Sequence, residues 1–369
     1  MKVGIVTFHK SHNYGAMLQA YALSKYVQDK HQVVVEFLNY NPPSLAETYR
    51  ILPKVSNTSS LVKFLNALRQ YKALATKYNN FKLFARSNFS ESQPYESLDE
   101  LMENPPNFDV CITGSDQVFK YKGKGSEVFF LAFCDKNSIP SIAYAPSFGS
   151  YSILPSHRDR VKEMLSKINY LSCREPEGAK VISDLTGRDV PTVVDPVFLL
   201  KSEEWSTISK APVGVPTKYI LCYALVGYEE QIGLALQLKQ STGLPVVVVG
   251  SRMGRKQGDV FINASVEEFI HLFMNASYVI TDSFHGTAFS LIFRKPFWSL
   301  IKVKAAAARL VNIHSVCGVQ GRLLETDHKL NPQQLDLSYV DIDVNLGRFI
   351  ISSMEYLDAA LKDSVKGRV

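Results

Sequence analysis

Lys2-Val3-Gly4-Ile5-Val6-Thr7-Phe8 opens the chain as an apolar, β-branched run, and His9-Lys10-Ser11-His12-Asn13-Tyr14-Gly15 follows as a polar loop. Residues 16–28 then have helical spacing, and 33–38 form a second continuous apolar run. A strand that stays apolar without alternation is buried on both faces, as strands of parallel sheets are. Strand, loop, helix and strand in this order make a βαβ unit, and its repetition would make a doubly wound α/β layer.

The alternation does repeat. Strand signals return at 109–113, 141–145, 170–173 and 192–194, with helical patterns at about 157–168 and 176–185. Residues 42–107 are more polar, with helical stretches around 61–85 and no evident strand, and read as a helical insertion or flank. After a Pro- and Gly-containing stretch at 201–217, taken as a linker, strands at 219–224, 246–249, 278–281 and 297–301 alternate with helices at about 229–241, 266–275, 284–293, 305–316 and 346–362. At 369 residues the chain has room for two domains. The expected fold is therefore α/β, with two Rossmann-like domains facing a central cleft. The N-terminal domain is placed at 1–205, the C-terminal one at 206–345, and a last helix, 346–369, crosses back to the first.

Composition narrows the function. A net charge of +6 without a dense Lys/Arg run gives no nucleic-acid footprint. It suits phosphate-bearing small molecules or peripheral contact with an acidic membrane as well as it suits an ordinary surface. The five cysteines are scattered, with no Cys-x-x-Cys pair, so neither a disulfide framework nor a metal site is expected. That pattern, with no leader-like start and no apolar stretch of bilayer length, points to a cytoplasmic protein.

Ligands of open parallel sheets bind beyond the carboxyl ends of the strands, which selects five loops. In the first, Asn13, Tyr14 and Gly15 lead into a helix whose N-terminus is a natural anion site, although a plain polar loop explains them equally well. In the second, Gly114-Ser115-Asp116-Gln117 offers amides, a hydroxyl and a carboxylate, against helix capping by Ser115 or Asp116. Ala145-Pro146-Ser147-Phe148-Gly149 shapes a wall. Arg174, in the fourth of these loops, is placed at a strand's carboxyl end to grip phosphate or carboxylate as a planar fork, with an ion pair to Glu175 or another acid as the alternative. The fifth loop is Thr281-Asp282-Ser283-Phe284-His285-Gly286-Thr287. It puts His285 in the first turn of a helix, where the dipole favours neutral imidazole, with Ser283, Gly286 and Thr287 turned toward an anion. Asp341-Ile342-Asp343 has the spacing of a metal-binding carboxylate pair but lies in a strand-like segment, and Lys302, Lys304 and Arg309 read as a solvated basic face. No dinucleotide glycine pattern, P-loop, serine elbow or zincin motif is present.

Taken together, Gly4-Ile5-Val6-Thr7, Asn13-Tyr14-Gly15-Ala16, Gly114-Ser115-Asp116-Gln117, Arg174-Glu175, Asp195-Pro196 and the His285 turn resemble the polysaccharide pyruvyl transferase family, in the family's order over residues 1 to about 300. The resemblance implies a fold similar to B-type glycosyltransferases. It also implies transfer of pyruvyl from phosphoenolpyruvate to a sugar as a cyclic ketal, in exopolysaccharide, capsule or other cell-envelope synthesis. No cofactor or metal is implied, since phosphoenolpyruvate is itself the donor substrate. The acceptor would be a glycan, polyprenyl-diphosphate-linked in one version, at the inner face of the membrane. His285 would be the catalytic histidine and Arg174 the donor-binding arginine, with Asn13, Tyr14, Gly15, Ser115, Asp116 and Gln117 toward the acceptor. Members of the family carry an arginine two residues before the histidine, where this chain has Ser283. Lys10, Lys295 or Lys304 is then the expected substitute cation, Lys295 being grouped with the donor site. A nucleotide-sugar glycosyltransferase of the same fold and a non-catalytic glycan-binding member are the competing readings.

Overall fold

The opening apolar run becomes β1 (Lys2–Val6), and the helix after it starts at a cap. The Asn13 side-chain oxygen accepts the Ala16 amide at 3.2 Å, so α1 (Tyr14–His31) begins two residues before apolar spacing alone places it. The chain returns as β2 (Val34–Phe37), parallel to β1 with Lys2 opposite Val34. The structure is a computed structural model; the description covers residues 1–42, 71–149, 152–225, 228–250, 258–301, 307–325 and 335–366, with positions 51, 52, 59, 64, 65, 67, 68 and 330 between them.

The first α/β unit continues through α2 (Tyr71–Asn88), α3 (Leu98–Glu103), β3 (Val110–Thr113), α4 (Ala132–Lys136), β4 (Ser141–Ala143), α5 (Arg158–Lys167), β5 (Tyr170–Leu171) and α6 (Pro176–Thr186). Among the described residues its sheet is parallel throughout and ordered β2-β1-β3-β4-β5. The order reverses between β1 and β3, which makes the ends of those two strands the switch point at which ligands of such sheets bind. A core of Phe108, Phe119, Phe130, Phe133 and Leu165 covers one face of the sheet. The helical reading of the insertion is met by α2 and α3; most of 61–70 lies outside the described residues. The strand expected at 192–194 is only a bridge, Thr192 to Cys173, because Pro191 and Pro196 bracket it and cannot donate to a ladder.

The second unit begins with α7 (Ser202–Thr207), where a linker was expected. Trp205 is fully buried in it, edge-on to Phe289 at 5.1 Å, and the Lys210 amide donates to the Glu267 carbonyl. The prolines and glycines at 212–216 dominate the composition of that stretch and hide the anchor before them. Then follow β6 (Ile220–Ala224), α8 (Tyr228–Thr242), β7 (Val246–Gly250), β8 (Val260–Ile262), α9 (Val266–Asn275), β9 (Tyr278–Thr281), α10 (Phe284–Ile292), β10 (Phe297–Ile301), α11 (Ala308–Cys317) and β11 (Leu323–Glu325). Their order, β11-β10-β9-β6-β7-β8, is that of a dinucleotide-type Rossmann sheet. The expected class, α/β with two Rossmann-like sheets, is borne out. β8 and β11 are three-residue edge strands, too short to show a period. Lys302 and Lys304 lie outside the described residues.

The last helix, α12 (Val340–Lys366), begins six residues before the expected start at 346. Asp341 and Asp343 therefore occupy its first turn and not a strand; acids are stabilising there, and Asp343 pairs with Arg294 at 2.7 Å. By contacts the chain divides into Met1–Leu199 with Phe349–Val369, and Leu200–Arg348. Within the first of these, Ser353 accepts the Val194 amide at 3.0 Å and Asp358 receives Tyr26 and His31. Among the described residues no helix is long and apolar enough to cross a membrane.

Two outcomes follow. Trp205→Ala should lower stability by about 3–5 kcal/mol, as for other buried large-to-small changes, read from the urea midpoint; a shift within the noise would return this segment to the status of a linker. Burial holds His314, under Phe297, down to about 4 from an ordinary 6.5. The unfolded chain then binds a proton that the folded one refuses, so stability is full above pH 6.5 and falls as pH drops toward 4. The loss is on the order of 3 kcal/mol, and unfolding curves of His314→Leu should be flatter across that window.

Candidate active site

At the carboxyl end of the first sheet, the β3 loop turns in a way only glycine permits. Gly114 has φ +117°, and a Cβ there would lie 2.0 Å from the Tyr144 carbonyl oxygen. This close approach hands Ser115, fully buried, to the middle of the sheet end. The Ser115 amide donates to Gln19 at 2.9 Å, Gln19 donates to Thr7, and Thr7 donates to the Ser115 carbonyl, locking the β1 and β3 ends together. The Ser115 hydroxyl donates to the Ala145 carbonyl at 2.8 Å.

Beside it Arg174 enters from β5 and is buried. Its guanidinium pairs with Asp195, with Glu175 at 3.3 Å and with Asp116 at 3.7 Å. Burial alone would weaken its hold on the proton, but Asp195, Glu175 and Asp116 together raise its pKa, so it is always charged. Glu175 also accepts the Ser147 hydroxyl at 2.6 Å, and the second oxygen of Asp195 accepts the Val197 amide. The ion pair that competed with the ligand reading of Arg174 is thus present, and with three acids rather than one. Of these acids Asp195 and Glu175 have side-chain exposures of 0% and 6%, against 19% for Asp116. Any ligand contact would have to come on the Asp116 side, against a surplus of negative charge. Arg174 is first a tie between loops.

The other first-sheet candidates separate by exposure. Asn13 caps α1 from an exposed position, whereas Tyr14 and Gly15 are buried, Tyr14 against Phe81 at 4.9 Å. Asp116 and Gln117 are part-exposed. Lys10 is held by Glu91 at 3.0 Å and Asn39 at 2.6 Å. Among the described residues no group of three or more His, Cys, Asp or Glu is placed to hold a metal.

In the second unit the turn after β9 is built around Thr281. Its hydroxyl donates to the Tyr223 carbonyl and accepts the Ser283 amide, and a Cβ on Gly286 would meet it at 2.3 Å. Gly286 is therefore needed for helix-to-strand packing. Ser283 is the N-cap of α10, accepting the Gly286 amide at 3.3 Å, and Thr287 shares a hydrogen with Ser299 at 2.7 Å. Both hydroxyls are buried in these roles rather than turned to an anion, which corrects the expectation for Ser283 and Thr287. Asp282 accepts the Leu225 amide at 2.7 Å and fixes the neighbouring loop. His285, the second residue of α10, is 7% exposed and lies edge-on to Phe284. Lys295 follows the other end of α10, ahead of β10. β9 and β10 are parallel, so His285, after the end of β9, and Lys295, before the start of β10, lie at opposite ends of the sheet, and Lys295 does not supply the cation beside the histidine.

The polysaccharide pyruvyl transferase family profile matches residues 13–301, which takes in both sheet ends and the His285 turn. The chain belongs to this family. It is accordingly a transferase of polysaccharide synthesis. No protein of curated function matches it by sequence. Among solved structures it is similar to the UDP-GlcNAc 2-epimerase of Neisseria meningitidis bound to UDP-GlcNAc, at 12% identity, TM-score 0.52, covering 98% of this chain and 94% of that one. It also matches the UDP-GlcNAc 2-epimerase of Methanocaldococcus jannaschii at 11% identity, TM-score 0.47, covering 95% and 93%. The glycosyltransferase SsfS6 of Streptomyces sp. SF2575, complexed with thymidine diphosphate, matches at 13% identity, TM-score 0.43, covering 96% of each chain. The first of these likenesses supports the fold class and nothing finer.

Within this pyruvyl transferase family chain, Gln19 and Asp195 are the residues that sequence reasoning left out of the site. Gln19 is the one polar residue in Met17-Leu18-Gln19-Ala20-Tyr21-Ala22-Leu23, and a polar group inside such a run needs a buried partner. Asp195→Ala should cost about 3–5 kcal/mol in urea unfolding, because a buried pair loses one partner. Asp116→Ala should cost about 1 kcal/mol or less, its pair being near solvent. Equal costs would refute the buried-tie assignment.

Proposed function

We propose that this transferase moves the pyruvyl group of phosphoenolpyruvate onto two hydroxyls of one sugar residue in a polysaccharide precursor. The observation that carries the reading is His285, buried in the first turn of α10, within a turn rigidified by Thr281, Ser283 and Gly286 and inside the family match. The reaction protonates the methylene carbon of the donor, forms a bond from a sugar oxygen to its central carbon, expels inorganic phosphate and closes the ketal with the second hydroxyl. Each hydroxyl loses a proton; one ends on the methylene carbon and the other leaves on the phosphate, so the step needs a group that can take and give protons near neutral pH. Imidazole is the side chain made for that task.

Asn13 and Asp116, the more exposed polar residues at the end of the first sheet, are the proposed acceptor-orienting groups. Arg174 keeps that sheet end in shape. The cation that the family's arginine would supply at Ser283 does not come from Lys295, which lies at the other end of the sheet. Five cysteines, all buried and none in a disulfide, suit a reducing cytoplasm as the place of the reaction. The likeness to an epimerase bound to UDP-GlcNAc motivates a second reading, a nucleotide-sugar transferase on the same fold.

His285→Ala should lower turnover by about a hundredfold or more while leaving the unfolding curve in place. Undiminished turnover would remove the histidine from the chemistry; a non-catalytic glycan-binding member would show no turnover and would keep its glycan binding when His285 is replaced. Thermal unfolding with phosphoenolpyruvate and with UDP-sugars separates the two donors. A ligand at about 100 times its Kd stabilises the native state by roughly 2.7 kcal/mol. Stabilisation by the nucleotide sugar alone would leave the fold and overturn the reaction.

A further inference from the structure

The first unit holds a pocket of about 520 Å³ away from the Arg174 cluster, between α2 and the loop after β1. Met17, Phe81, Ala85 and Phe89 give it an apolar wall, and Lys10, Lys82, Arg86 and Glu91 give it charge. Among the described residues three cations thus face one carboxylate. Glu91 is already satisfied, by His9 Nε2 and Lys10 Nζ at 3.0 Å each. Burial would raise its pKa, but these partners outweigh burial and hold it below the usual range. His12, stacked on Tyr78 at 3.9 Å, is also in the lining; burial and the nearby Lys77 hold it down to about 4, so it adds no charge near neutrality.

The surplus therefore rests on Lys82 and Arg86. They are exposed, one helical turn apart on α2, and neither pairs with another described residue. Side chains at this spacing are about 5–6 Å apart at Cβ and can converge on one multivalent anion. Exposed cations on a helix normally remain in water; here two of them rim a concave surface whose floor is aromatic and aliphatic. A small inorganic anion would leave that floor wet. A ligand with a charged head and an organic body would use both parts.

We propose that this pocket binds an organic diphosphate, its phosphates on Lys82 and Arg86 with Lys10 alongside, and its organic part on Met17, Phe81, Ala85 and Phe89. A prenyl or a nucleoside body has the required chemistry. The site is argued from its own lining and does not depend on which donor the enzyme uses.

The test is calorimetric titration of the full chain at low salt with inorganic pyrophosphate, geranyl diphosphate and uridine diphosphate. One organic diphosphate should bind about tenfold or more tighter than pyrophosphate, since a few buried methylenes suffice for that difference. Tighter geranyl diphosphate assigns a lipid-type body, and tighter uridine diphosphate a nucleoside-type body. Lys82→Ala and Arg86→Ala should each weaken the preferred ligand roughly tenfold, and Ala85→Trp, which fills the floor, should abolish its advantage over pyrophosphate. All three substitutions lie on the surface of α2, and unfolding midpoints check that they fold. Equal affinity for the three probes, no binding, or affinities unchanged in the variants would each overturn the proposal. Phosphoenolpyruvate-induced stabilisation, measured in the same variants, reports on the donor separately, so failure of this site and failure of the transfer reading give different results.

Discussion

A guanidinium buried among three carboxylates organises the end of the first sheet. Arg174 comes from the β5 loop, Asp116 from the β3 loop and Asp195 from the segment after α6, while Glu175 continues through Ser147 to the β4 loop. Taking these charges out of water is costly, and only the completeness of the set offsets the cost. The same set explains why Ser115 is buried, since its hydroxyl lies 3.2 Å from Asp195, and why the chain turns so sharply at Gly114 to bring it there. Four loops that a parallel sheet leaves independent become one piece. The proposed transfer, which brings two sugar hydroxyls to one carbon, would benefit from that rigidity.

The second sheet reaches a similar end by other means. At the centre of its turn is a hydroxyl, that of Thr281, which donates to Tyr223 and accepts from Ser283, while Gly286 allows α10 to lie directly against it. Ser283 and Thr287, which a motif reading offers to a ligand, are used up in holding the turn. In the proposed reading His285 is the chemical group and its neighbours are the mounting, a division of labour in which each small residue has a structural reason to be small.

Much of this was legible from the residues. β9, β10 and α9 are long, periodic or continuously apolar, and the sequence places them at their observed limits. The fold class followed from that alternation. What escaped had physical causes. β8 and β11 are too short to carry a period. α7 was hidden by the prolines and glycines after it, although Trp205 was the signal that something there is buried. α12 begins with Asp341 and Asp343, whose alternation with Ile342 imitates a strand. At the site, motifs located the turns but not the direction of the side chains. Lys295 is near His285 in sequence yet at the far end of a helix, and Glu91 reaches His9 and Lys10 across eighty residues, a pairing no local pattern encodes.

The buried thiols have a use of their own. Cys111, Cys134 and Cys173 lie in the first unit and Cys222 and Cys317 in the second, all out of contact with solvent. Burial pushes Cys134, Cys173 and Cys222 far up and Cys317 to about 12, so these four present almost no thiolate to a labelling reagent while the protein is folded. Modification must then wait for the surrounding structure to open. The rate at each cysteine becomes a local clock for that opening. Cys173, 3.9 Å from Glu175, times the loosening of the Arg174 cluster, and Cys222, on β6 beside β9, times that of the sheet carrying His285.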